Sequence, residues 1–164
     1  MPKLEELNGL TREEFTRLLA PTFEHSPWVA ARTAGQRPFQ LTTDLHAALR
    51  HTVMQAREDE KLALIRAHPD LGDKTNLTAE SQVEQANAGL DRASTEEAEQ
   101  LRENNRQYRE RFGFPFVICA RESKTEAILA AFEKRLTNSA EQEIENALQE
   151  IFKIAELRLR DLVQ

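Results

Sequence analysis

Apolar residues along this chain recur at helical spacing, and residues that start and stop helices fall between them. Thr11 and Glu14 form a capping-box pattern ahead of Phe15, Leu18 and Leu19. Ser26-Pro27 offers an N-cap followed by Pro at the first helical position. Leu45, Ala48, Leu49, Thr52, Val53 and Ala56 then repeat at helical intervals. A shorter helix runs up to His68 with Leu62 and Ile65 as anchors, and a loop follows from Asp70 to Asn76. Thr78 caps the next predicted helix and Gly89 ends it. Three further boxes follow: Ser94 with Glu97, Ser123 with Glu126, and Asn138 with Glu141. The last helix is the longest, about 24 residues by its pattern.

One stretch breaks the helical period. Phe112-Gly-Phe-Pro-Phe-Val-Ile-Cys-Ala120 could be a strand, but no second convincing strand exists to pair with it. It reads as a buried extended segment, spanning 112–120, between helices. No internal repeat, low-complexity stretch or linker is visible. The expected fold is an all-α, single-domain bundle over residues 1–164, with roughly seven to nine helices at normal helix lengths. A chain of 164 residues can bury the core that such a domain needs.

Composition narrows the function. Net charge is -6 and no dense basic run appears, so a nucleic-acid footprint is not expected. The Arg-rich block from Arg102 to Arg111 holds Glu103 and Glu110 and reads as a solvated helix face. No apolar run is long enough to span a bilayer, and no basic-then-apolar leader opens the chain. Cys119 is the single cysteine, which excludes an internal disulfide and a Cys-based zinc cluster. It sits in an apolar run and reads as packed. His46 and His51 do not share a helix face, and His25 reads as a loop residue. No metal motif, phosphate loop or dinucleotide fingerprint is present. A cytoplasmic protein with no metal and no cofactor is expected.

Three polar placements call for a reason. His68 precedes Pro69, which biases it away from helical dihedrals and puts the imidazole at a helix-to-loop junction. Such a His can move protons near neutral pH, or can simply favour the helix C-terminus electrostatically. On the helix opened by Thr78, Ser81, Glu84, Gln85 and Ala88 share one face, and Val83, Ala86 and Leu90 share the other. The polar face is either solvated or a set of ligand-binding groups. It holds no Lys or Arg, which a solvent face usually does. On the last helix, Ile144, Leu148, Ile151, Ala155 and Leu162 form the apolar stripe. Arg158 lies inside that stripe and Arg160 points away. A core-facing guanidinium needs a ligand anion or a buried Asp or Glu.

Together these residues match a family. Phe23-Glu-x-Ser-Pro-Trp28, His68-Pro-Asp-Leu-Gly72, Ser81-x-x-Glu-Gln85 with Ala88-Gly-Leu90, Asn105-x-x-Tyr108 leading into Phe112-Gly-Phe-Pro-Phe-Val-Ile118, and Ile154-Ala-x-Leu-Arg-Leu159 occur in order over nearly the whole chain. The chain resembles the 2-oxo-4-hydroxy-4-carboxy-5-ureidoimidazoline (OHCU) decarboxylases, cofactor-free, all-helical enzymes of urate degradation that yield (S)-allantoin and CO2. The resemblance implies that His68 is catalytic and that Glu84 lines the same pocket, where as a second catalytic group it either orients His68 or a ureido N–H or shuttles the C5 proton. It implies a substrate pocket lined by Pro69, Ser81, Gln85, Arg158 and the backbone of Phe116, Val117 and Ile118. OHCU and (S)-allantoin are the implied ligands, with no nucleic acid and no membrane. A homodimer is compatible with the sequence, which fixes no oligomeric state. Leu62-Ala-Leu-Ile-Arg-Ala-His-Pro-Asp70 also resembles the His-Pro-Asp loop of J-domain co-chaperones. That family favours a basic preceding helix, whereas here it reads Arg57-Glu-Asp-Glu-Lys61. A third reading is a helical scaffold whose polar stripes all face solvent.

Overall fold

Side-chain caps set several of the helix starts in the computed structural model, which describes residues 1–73 and 77–164. Thr11 accepts from Glu14 N–H, and Glu14 in turn accepts from Thr11 N–H, opening α2 (Arg12–Leu19) after a short α1 (Leu4–Asn8). The chain continues through α3 (Trp28–Thr33), α4 (Thr42–Met54), α5 (Glu58–Arg66) and α6 (Ala79–Asn87). It ends with α7 (Thr95–Phe112), α8 (Thr125–Arg135) and α9 (Ala140–Leu162). Among the described residues the protein is all-α, with short 3-10 turns and no strand. The predicted loop from Asp70 to Asn76 is described as far as Asp73; positions 74–76 lie outside the described residues.

Several predicted starts move by a residue or two, each for a local reason. Ser26 does not cap α3: its hydroxyl donates to the Glu24 carbonyl at 2.8 Å, and Pro27 takes the cap position. Ser123 does not cap α8, which begins at Thr125 behind Lys124, because Thr125 donates its hydroxyl to the Ala88 carbonyl. The last box forms one residue later than expected. Ser139 and Gln142 exchange backbone and side-chain hydrogen bonds, and Asn138 is drawn inward to Glu143. In α5 the buried anchors are Leu64 and Ile65, with Leu62 only half-buried.

Contacts divide the chain into two compact units. One comprises residues 1–67 and 152–164 and the other residues 68–151. In the first, α2, α3 and α4 pack together around Phe15, Leu19, Val29, Leu45, Leu49 and Val53, all buried. Arg37 binds the carbonyls of Leu7, Leu10 and Ala34 and lies 4.8 Å over the Phe15 ring, tying the end of α1 to the turn after α3. Thr33 and Thr52 share a buried 2.7 Å hydrogen bond between α3 and α4.

The second unit is organised around a buried carboxylate. Glu143 on α9 has no exposed surface. Its Oε1 accepts from Tyr108 Oη at 2.6 Å and Arg135 Nε at 2.8 Å, and its Oε2 accepts from Asn138 at 2.9 Å and Asn146 at 2.7 Å. Arg135 extends the network by donating Nη1 to the Val117 carbonyl at 2.7 Å and stacking 4.2 Å over Phe116. This explains why residues 114–119 stay extended without a partner strand. A side-chain guanidinium and the packing of Phe114, Phe116, Val117 and Cys119 replace a ladder.

Burial alone would raise the Glu143 pKa, but the hydrogen bonds from Asn138, Tyr108 and Asn146 and the Arg135 charge outweigh it and hold the carboxyl below the usual range. A depressed folded pKa contributes stability above the unfolded carboxylate value of about 4.3 and loses it as pH falls through the folded pKa. Glu143→Gln leaves Arg135 buried without its anion and should cost about 3–5 kcal/mol at neutral pH. In urea titrations the gap between wild type and Glu143→Gln should narrow below about pH 4. A gap constant from pH 7 to pH 3 would show that the ionised carboxylate is not what holds the unit.

Candidate active site

Helix α6 carries the clearest signal, because its polarity is inverted. Ser81, Glu84 and Gln85 are buried, while Val83 on the opposite side is 59% exposed. The stripe of hydroxyl, carboxylate and amide is the inward face, so the scaffold reading with solvated stripes does not hold for α6. Thr78 caps the helix by accepting from Ser81 N–H, and Gly89, at φ +86°, takes the left-handed turn that ends it. Gln85 Oε1 accepts from Gly72 N–H at 3.1 Å, linking α6 to the turn after His68. At its other end α6 packs on the 3-10 turn Ala120–Glu122, where Ala88 O receives the Thr125 hydroxyl.

His68 stands just past α5, whose C-cap is Ala67. The junction is as expected, but the imidazole is buried, not peripheral. Pro69 and Asp70 follow, and a turn closes when Asp73 N–H donates to the Asp70 carbonyl at 3.1 Å. Gly72 has φ +83°, a conformation that favours glycine at the third position of such a turn. His68, Pro69, Ser81, Glu84, Gln85, Phe116, Val117 and Ile118 all belong to the second unit. Of these, Val117 spends its carbonyl on Arg135. Cys119 has a thiol pushed up to about 11 by burial and by the carboxylates of Glu122, Glu150 and Glu84. It is a packed thiol and not a nucleophile at neutral pH.

Arg158 belongs to the first unit. It is 3% exposed, whereas Arg160 faces solvent and pairs with Glu156 at 2.6 Å, as read from the sequence; the two ends of the expected stripe differ, since Ile144 and Leu162 are only half-buried and Glu143 and Val163 beside them are buried. The expected anion is supplied by the protein: Arg158 Nη2 donates to Glu24 Oε2 at 3.1 Å and Nη1 to the Pro21 carbonyl at 3.0 Å. Glu24 was visible only as part of a motif and had no assigned role. Arg135 and Glu143 were missed as well. Arg135 sits at the end of α8, where an Arg is ordinarily a helix-terminus residue. The Arg102–Arg111 face is not wholly solvated either, since Arg109 Nε donates to Asp70 Oδ1 at 2.7 Å.

These features define an all-helical protein with a buried set of imidazole, carboxylate, hydroxyl and amide groups. The chain belongs to the OHCU decarboxylase family, whose model matches residues 8–160 and so runs across both units. It is 42% identical over 158 residues to 2-oxo-4-hydroxy-4-carboxy-5-ureidoimidazoline decarboxylase of Haloferax volcanii, covering 96% of this chain and 94% of that one. It is 38% identical to the uric acid degradation bifunctional protein PucL of Bacillus subtilis, covering 98% of this chain and 32% of that protein. Among solved structures, that of an (S)-allantoin synthase superposes with a TM-score of 0.79 at 29% identity, covering 98% of this chain and 54% of that one. The His-Pro-Asp segment lies inside the family match, and the co-chaperone reading falls away.

Removing one partner of a buried ion pair is costly. Arg158→Ala should lower stability by about 3–5 kcal/mol, and Arg160→Ala by less than about 0.5 kcal/mol. Chemical denaturation of both variants checks this. Equal, small losses would mean that the Arg158–Glu24 pair contributes little.

Proposed function

We propose that this protein decarboxylates OHCU to (S)-allantoin and CO2 during urate breakdown, in the cytoplasm and without a cofactor. Family membership supports the reaction class. The observation that carries the site assignment is the inverted polarity of α6: a carboxylate, a hydroxyl and an amide face inward while a valine faces water. That face offers a hydroxyl, a carboxylate and an amide, a mixed set of donors and acceptors suited to a polar ligand. Among the described residues no helix is long and apolar enough to cross a membrane.

The substrate carries a hydroxyl and a carboxylate on C4, beside the C5=N imine. Breaking the C4–carboxylate bond releases CO2 and leaves an electron pair that forms a C4=C5 double bond. The imine electrons move to nitrogen, which takes up a proton. The resulting enol then loses its hydroxyl proton and gains one at C5, giving the C4 carbonyl. The net reaction consumes one proton per carboxylate lost. The substrate supplies its own electron sink, so the protein's task is orientation and proton handling.

In this reading His68 takes the C4 hydroxyl proton and acts as general acid/base. Glu84, on the buried face of α6, delivers the C5 proton to one face or supports the charged imidazole. Ser81 hydrogen-bonds the ureido and ring amides. Gln85 has its carbonyl engaged by Gly72, so its amide N–H2 is the end suited to a substrate carbonyl. Pro69 and the backbone of 116–118 complete the lining. For Arg158, an anchoring role toward an anionic or carbonyl edge rests on the family resemblance.

Substrate made freshly from urate tests the proposal. Optical activity of the allantoin reports the enzyme directly, because spontaneous decay gives racemate. His68→Ala should cut turnover about a hundredfold or more with the fold intact. Wild-type turnover in a folded His68→Ala protein would remove His68 from the mechanism.

Glu84→Gln separates two roles, since Gln still accepts hydrogen bonds but cannot transfer a proton. We expect it to be nearly as damaging as Glu84→Ala. Full rate and full enantiomeric excess in Glu84→Gln would exclude Glu84 as the C5 proton donor.

A further inference from the structure

The turn that follows His68 is tied down by side chains from two helices. Arg109 Nε on α7 donates to Asp70 Oδ1 at 2.7 Å. Asn105 Nδ2, one helical turn earlier on α7, donates to the Leu71 carbonyl at 2.9 Å. Gln85 on α6 accepts from Gly72 N–H at 3.1 Å. Three consecutive residues, Asp70, Leu71 and Gly72, are thus each held by a different side chain. Pro69, with its fixed φ, is the only residue between this anchored turn and His68.

Packing alone does not account for these ties. Asn105 is 94% buried, since only 6% of it is exposed, and its Oδ1 has no hydrogen-bond partner among the described residues. A buried amide with an unpaired acceptor is a cost, typically about 1–3 kcal/mol. An apolar residue of similar size would fill the space without it. The Asn is explained by its bond to the turn. Arg109 is half-exposed and pairs with Asp70 across helix and turn, whereas its neighbour Arg106 pairs, among the described residues, along α7 with Glu103 and Glu110.

We propose that Asn105 and Arg109 are positioning residues for the decarboxylation. By clamping the 70–72 turn they fix, through the rigid Pro69, where the His68 imidazole stands. The proposal rests on the reading of His68 as the acid/base group. An imidazole that transfers a proton must be held within a few tenths of an ångström of its partner, and a displacement of about 1 Å can cost a hundredfold in rate.

The test measures kcat, KM and melting temperature for Arg109→Leu, Arg109→Lys, Asn105→Leu and Arg106→Leu, beside wild type and His68→Ala. Arg109→Leu and Asn105→Leu should each lose about tenfold or more in kcat, with KM within about twofold of wild type. Arg109→Lys keeps a cation within reach of Asp70 and should recover kcat to within about threefold. Arg106→Leu should match wild type. The Arg109–Asp70 pair is partly solvated and contributes little to stability, so the Arg109 variants fold and decide the matter even if Asn105→Leu does not. The clamp is overturned if kcat of folded Arg109→Leu stays within twofold of wild type, or if Arg109→Lys loses as much as Arg109→Leu. Inactive wild type, or an active His68→Ala, would instead bring down the underlying reading of the site.

Discussion

The second unit depends on one buried anion. Glu143 collects donors from α7, from the loop before α9 and from α9 itself, and through Arg135 from α8. Through Arg135 its charge reaches the Val117 carbonyl, in the middle of a backbone stretch with no secondary structure. Ionised carboxylates are expensive to bury, and this one is retained with its oxygens bonded. Tyr108 shows the same logic from the other side. Burial and the adjacent Glu143 carboxylate both raise its pKa, so it stays a hydroxyl donor at any physiological pH. The aromatic cluster of Tyr108, Phe112, Phe114, Phe116 and Phe132 then packs around a polar centre whose protonation is fixed.

Much of this architecture was legible in the sequence because it is local. A helix start is written in the spacing of two residues, as with Thr11 and Glu14 or Ser94 and Glu97, and both boxes form. The middle of the α9 stripe, Leu148, Ile151 and Ala155, was legible for the same reason, and so Arg158 could be told from Arg160. Long-range partners were not legible. Glu24 and Arg158 lie 134 residues apart, and nothing local to either names the other. Arg135 looked like an ordinary charge at a helix end, and its use by Val117 depends on a chain segment that no helical period describes. The one-residue shift at Ser139 has the same origin, since Asn138 is claimed by Glu143.

Helix α6 is where pattern and chemistry disagree most usefully. A conventional amphipathic reading would turn Val83 inward and Glu84 outward. The opposite holds, and the helix is fixed by specific bonds: Thr78 at its start, Gln85 to Gly72, and Ala88 O to Thr125. Each polar group that faces inward thus sits on a helix held at several points along its length. The Glu84 carboxylate and the Gln85 amide therefore sit on a bonded helix, and the turn after His68 is tied to that helix and to α7.

The division of the chain has a consequence for biosynthesis. Residues 68–151 are contiguous, whereas the other unit is made from the first 67 residues and the last 13, residues 152–164. A ribosome therefore finishes the second unit before it has made all of the first. Glu24 is synthesised early, yet its guanidinium partner, 134 positions further on, is added only after the stretch between them has been translated. At the usual elongation rate of about 5–20 residues per second, that interval is on the order of 7 to 27 seconds. Until then the nascent chain carries a carboxylate destined for the interior without the cation that will accompany it there. Chain order thus delays the Glu24–Arg158 pair until the last turns of α9 are made, and a chain truncated before Arg158 would lack it.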